Sequence, residues 1–160
     1  MVFLAISAPW SSISLAVELS IAAIKARAGE SVVVPLKVDK VHGLAGVKLV
    51  MKYDPKILVF RKGDKTKHTT SFMHIVNDKK PGLLIAVMAS AKGIGGENIP
   101  ILTLTFGVKA GLKGNLSTAL EITELQLMND SLKDIKTTIK IDPIAISTQQ
   151  GISALPQDLN

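Results

Sequence analysis

The fold this sequence predicts is an all-β antiparallel sandwich, and three observations predict it. Apolar residues recur at every second position in one segment after another. Gly, Pro, Asn and Asp punctuate those segments at short intervals. No window of about eleven residues holds a helical period. Together they call for about nine short strands in two packed layers.

The first segment, Val17 to Ala28, alternates loosely and ends at Gly29-Glu30. Ser31 to Val38 puts Val32, Val34, Leu36 and Val38 on one face. Pro35 cannot donate to a ladder, so this strand is expected at an edge or beside a bulge. Leu44 to Tyr53 turns Ala45, Val47, Leu49, Met51 and Tyr53 one way and Gly46, Lys48, Val50 and Lys52 the other. Asp54-Pro55 closes it as a turn before the short apolar run Ile57 to Phe60. Arg61 to Ser71 is Lys-rich and reads as a loop.

Phe72 to Val76 and Leu83 to Ala89 flank Asn77-Asp78-Lys79-Lys80-Pro81-Gly82, a hairpin loop by composition. Gly93-Ile94-Gly95-Gly96 reads as a flexible connection, and Ile101 to Val108 alternates again. Leu120 and Ile122 sit on even positions while Leu125 and Leu127 sit on odd ones. That change of phase at Thr123–Glu124 predicts a bulge or strand break. Ile135 to Ile141 and Ile144 to Ile146 complete the set.

With 160 residues, 47% of them hydrophobic, the chain has one ordinary core and needs no disulfide or metal to hold it. The absence of Cys removes disulfides, thiol catalysis and cysteine-ligated zinc or iron–sulfur sites. His42, His68 and His74 stand apart without metal-ligand spacing, no G-x-S-x-G elbow occurs, and no Lys-Ser/Thr follows the glycines at 93–96. An enzyme is not expected, nor is a bound cofactor or metal. The net charge of +6 raises nucleic acid as a partner, but the lysines are scattered and the aromatic content is 4%. Sugar-binding sandwiches present flat Trp or Tyr rings to the ligand, and here Tyr53 is on the inward face. Two N-glycosylation sequons, at Asn115 and Asn129, are short enough to arise by chance.

Residues 1–16 carry no charge and end in Ser14-Leu15-Ala16, which fits the small-x-small pattern of a secretory leader lacking its basic start. They are too few to span a membrane. The expected organisation is a leader over 1–16, a sandwich domain over 17–147 and a polar tail over 148–160, in a secreted or cell-envelope protein. One strand stands out. Leu83-Leu84-Ile85-Ala86-Val87-Met88-Ala89 is apolar on both faces, whereas a two-layer sandwich needs only one. Its outer face is covered by the chain itself or by a partner.

Three stretches resemble the cohesin domain family. Ala28-Gly29-Glu30-Ser31-Val32-Val33-Val34-Pro35-Leu36 resembles the entry to the family's second strand. Gly43 to Leu58, with Tyr53-Asp54-Pro55, is similar to its third strand and following turn. Ile101 to Lys109 is similar to a later strand. The resemblance implies a nine-stranded jelly roll related to some carbohydrate-binding modules, and a non-catalytic role in which one sheet face captures a dockerin. Calcium would then be carried by the dockerin partner.

The resemblance places the binding face on the strands matched by Leu44–Lys52 and Leu83–Ser90, with the stretch near Leu132–Asp134. Its implied contact residues are Gly46, Lys48, Val50 and Lys52 on one strand and Ile85, Val87, Ala89 and Ser90 on the next, with Asn77, Leu132 and Asp134 at the margins. Many members carry Asn and Asp where this chain has Gly46 and Lys48, and an acid where it has Ser90. Such changes redirect specificity, so the implied partner is a divergent dockerin or another secreted protein. The alternatives are a carbohydrate-binding module on the same fold and a structural domain of an envelope assembly.

Overall fold

A computed structural model describes residues 15–148. The leader expected over 1–16 and the tail over 148–160 lie outside the described residues, apart from Leu15, Ala16 and Thr148. Among the described residues eleven strands run in chain order: β1 (Val17–Ile21), β2 (Ile24–Arg27), β3 (Ser31–Lys52), β4 (Leu58–Lys65), β5 (Met73–Asn77), β6 (Leu83–Val108), β7 (Leu116–Thr118), β8 (Glu121–Asn129), β9 (Asp134–Ile135), β10 (Thr137–Ile141) and β11 (Ile144–Ser147).

Two long strands organise the molecule. β3 and β6 pair antiparallel along nearly their whole length, from Ser31↔Gly107 to Lys52↔Leu83. The first half of β3 and the second half of β6 lie between β1–β10 and β4. The other halves lie between β8–β9 and β5. One continuous pair thus belongs to two five-stranded layers, and a separate small sheet β2-β11-β7 adds Ile144 and Ile146 to the core. The layers face each other across a single core. Val34, Leu36, Leu104 and Phe106 from one meet Leu49, Met51, Leu84 and Met88 from the other, all buried. Phe106 anchors the join, edge-on to Tyr53 at 5.2 Å and to Phe60 at 5.7 Å.

The change of layer happens where β3 and β6 bend. Register shifts fall between Val41 and Gly46, and the inward positions pass from even (Val32 to Val38) to odd (Val47 to Met51). Gly43 has φ +71°, and Gly93 lies so close to it that an added Cβ would stand 2.6 Å from the Gly43 carbonyl. The glycines at 93–96, expected as a flexible connection, are therefore part of one paired strand whose bend needs residues without side chains.

Pro35 lies beside a bulge, as expected, at Leu36/Lys37, and its missing N–H is tolerated on this inner strand because β1 pairs only as far as Ser20↔Lys37. Two other expectations change. β4 continues to Lys65 through what reads as a Lys-rich loop, since pairing with β6 outweighs local composition. Val17 to Ala28 is two strands serving two sheets, with Ala22-Ala23 between. The phase change at Thr123 is a bulge, as expected: Val50 faces Glu124 and Met51 faces Ile122. Two pairings are parallel, β1 with β10 and β2 with β11.

The true loop after β4 is pinned by a buried hydroxyl. Thr69 Oγ1 accepts from Thr66 N–H at 2.9 Å and donates to the Ile101 carbonyl at 3.0 Å. Removing it leaves both groups without a partner, at about 1–3 kcal/mol. Thr69→Val is therefore expected to lower the urea midpoint with an unchanged slope, since shape and exposed area stay the same.

Candidate functional site

The layer β5-β6-β3-β8-β9 presents its outer surface to solvent. Alternation sends Leu84, Ala86 and Met88 inward and leaves Ile85, Val87 and Ala89 outside. On β3 the outer residues are Gly46, Lys48, Val50 and Lys52, as the alternation implies. Register then fixes the rungs of the face. Met73, Ala89, Gly46 and Met128 form the first, continued by Asp134 on β9. Ile75, Val87, Lys48 and Gln126 form the second, and Asn77, Ile85, Val50 and Glu124 the third. Leu83, Lys52 and Glu121 complete it.

The apolar part is concentrated on the β5 side. Met73 is 81% exposed, Ile75 70% and Val87 43%, three of the seven large hydrophobic residues exposed in the described chain. A fourth, Leu132, is 81% exposed in the turn between β8 and β9. Its φ is +60°, a conformation that disfavours a bulky side chain. The turn holds it there: Asn129 Oδ1 accepts from Ser131 N–H and Lys133 N–H, both at 3.0 Å.

The polar part is tied up within the face. Lys48 Nζ donates to Glu124 Oε1 at 2.6 Å, both side chains half exposed. Gln126 Nε2 donates to Asp134 Oδ1 at 2.8 Å. Asn77 accepts from Lys79 N–H and so starts the β5–β6 loop. Ser90 is half-buried, its hydroxyl accepting from Lys92 N–H at 3.3 Å and lying 3.4 Å from Ser71 Oγ. The structure thus gathers Gly46, Lys48, Val50, Lys52, Ile85, Val87 and Ala89 on one surface and sets Asn77, Ser90, Leu132 and Asp134 around it.

Met73, Ile75, Glu124, Gln126 and Met128 belong to the same surface and do not figure in the sequence expectation. Their signal is present but indirect. With Leu125 and Leu127 turned inward, the residues between them must face out. β5 gains its place only from hairpin register with β6. No aromatic ring of the described residues lies on the face: Tyr53, Phe72 and Phe106 are buried and Phe60 packs on Phe106.

Elsewhere, a hollow of about 670 Å³ is lined by Asp39, Lys40, His42 and Glu97. Its acids are engaged, Asp39 by Glu18 N–H and Glu97 by Lys40 at 3.6 Å. Among the described residues no group of three or more His, Cys, Asp or Glu is arranged to hold a metal. No helix there is long and apolar enough to cross a membrane.

The sequence matches the model of the cohesin domain over residues 17–144. The chain belongs to the cohesin family. Solved structures of the same fold include a non-cellulosomal cohesin from the hyperthermophilic archaeon Archaeoglobus fulgidus, with a TM-score of 0.72 at 16% identity, covering 85% of this chain and 94% of that one. A type I cohesin–dockerin complex of Clostridium thermocellum, Coh-OlpC with Doc435, also gives 0.72, at 19% identity over 84% and 95%. The sixth cohesin of Acetivibrio cellulolyticus scaffoldin B, in complex with a Cel5 dockerin mutant, gives 0.70 at 19% identity over 84% and 100%. These likenesses establish the all-β jelly-roll sandwich for this cohesin. No curated protein matches its sequence.

Proposed function

We propose that this cohesin is a non-catalytic, extracellular or envelope-associated interaction module that captures a dockerin-type partner on the outer face of β5-β6-β3-β8. The observation that carries the reading is the exposed apolar stripe Met73, Ile75 and Val87, bordered by polar side chains already paired with one another. An apolar centre inside a polar rim is the anatomy of a protein interface. Family membership supports the dockerin assignment, as do the dockerin-bound structures that share the fold. Calcium, in this reading, belongs to the partner. The polysaccharide alternative lacks a stacking ring on the face, and no observation favours a purely structural role.

The test is recovery of dockerin-bearing proteins from the source organism's secreted fraction on the immobilised chain. Recovery of none, with the chain folded, would refute the proposal. Leu132 offers a sharper control. Replacing it with Gly removes an exposed apolar contact while relieving a φ of +60°, so Leu132→Gly is expected to melt no lower than wild type yet bind at least about tenfold more weakly. A variant that binds normally would take Leu132 out of the interface.

A further inference from the structure

Gly46 leaves a gap at the centre of the face. Around it lies a shallow pit of about 240 Å³, lined by Val87, Met88 and Met128, with Lys48 and Gln126 at its border. Two independent features make the pit apolar although two polar residues border it. The Lys48 ammonium is drawn toward Glu124, two rungs away from Gly46, so the alkyl stem is what remains beside the pit. The Gln126 amide is held by Asp134. The Lys48–Glu124 charges therefore balance each other, and the Asp134 carboxylate, held by a neutral amide, stands beyond Met128 at the margin of the pit.

Resting on the docking reading above, we propose that the pit receives one large apolar side chain of the dockerin-type partner, making Gly46 and Met128 the residues that set partner specificity. The argument is one of complementarity. An apolar group buries surface against Val87 and Met128, whereas a hydroxyl or carboxylate would be desolvated against a largely apolar lining. A central anchor of this kind carries more of an interface's affinity than the contacts around it. An added Cβ at Gly46 would lie 3.3 Å from Met128 Cβ and occupy the floor of the pit.

The experiment sorts a yeast-displayed library against the full chain, using Doc435 as scaffold with its exposed helix positions randomised. Binders are expected to share Leu, Ile, Met or Phe at one position. Gly46→Ala should weaken them at least tenfold, while Lys140→Ala on the opposite layer should change affinity less than twofold. Met128→Ala, which widens the pit without adding an atom, should move the selected residue toward Phe or Trp. Thermal melts of each variant establish that it is folded. Binders sharing Ser, Thr, Asn or Asp would overturn the proposal, as would Gly46→Ala binding normally while Val87→Asp does not bind; both leave the docking reading intact. A library without binders, or binders indifferent to Val87→Asp, would overturn the docking reading and this proposal with it.

Discussion

Val87→Asp is expected to reduce capture of a dockerin-type partner by at least about a hundredfold, close to 3 kcal/mol of binding free energy. Val87 stands in the second rung, between Ile75 and Lys48, and is 43% exposed in the free chain. A carboxylate there stays hydrated while the chain is alone. Docking would strip that water, and Lys48 is already committed to Glu124. The cost falls on the complex, because surface substitutions away from special features change stability by only about 0.5 kcal/mol. The signature is a lost interaction with a nearly unchanged melting temperature. Calorimetric titration of a recovered dockerin-bearing protein, beside thermal melts of both chains, reads both quantities. Equal affinity for the two would remove this surface from the function.

Gly93→Ala should act in the opposite way, on the fold and only through it on binding. The new methyl would sit 2.6 Å from backbone atoms of Gly43, which cannot rotate aside as a side chain can. β3 and β6 would have to separate at the point where both pass between layers. Overpacking of this kind costs about 3 kcal/mol or more, which lowers the melting temperature by about 10 °C in a domain of this size. Gly111→Ala is a comparison without crowding, since nothing lies within 4 Å of its added Cβ. Its φ of +77° adds a backbone strain that Gly93 does not have, so a smaller loss there than at Gly93 isolates the crowding. A Gly93→Ala chain that melts with the wild type would show that the two strands do not meet here.

The residues that could be placed from sequence are those whose partners are implied by simple alternation. Leu44 to Tyr53 has an inside and an outside because Lys48 and Lys52 mark one set as outer. Leu83 to Ala89 is apolar on both faces, and its outer set, Ile85, Val87 and Ala89, comes from the cohesin resemblance. The bulge at Thr123 was legible from alternation as well, as a break in phase. What alternation does not carry is which strand lies beside which. The adjacency of Ile75 to Val87, and of Gln126 to Lys48, is a property of register. The continuity of β3 and β6 through their glycines was hidden because Gly and Lys read locally as loop, and only pairing across the sheet overrides that. The strain at Leu132 has no sequence signal, since Asn129-Asp130-Ser131 announces a turn but not which residue takes the left-handed position.

The two parallel pairings have a consequence in time. β1 is the first of the described strands in chain order, yet its partner along Val17↔Thr137 to Ile21↔Ile141 is nearly the last. β2 likewise waits for Ile144 to Ser147. Neither sheet can be completed before the last two strands of the domain have been made, and the loops that must close are about as long as the domain itself. Folding of this domain is therefore a late and concerted event, in which its first and last strands close together.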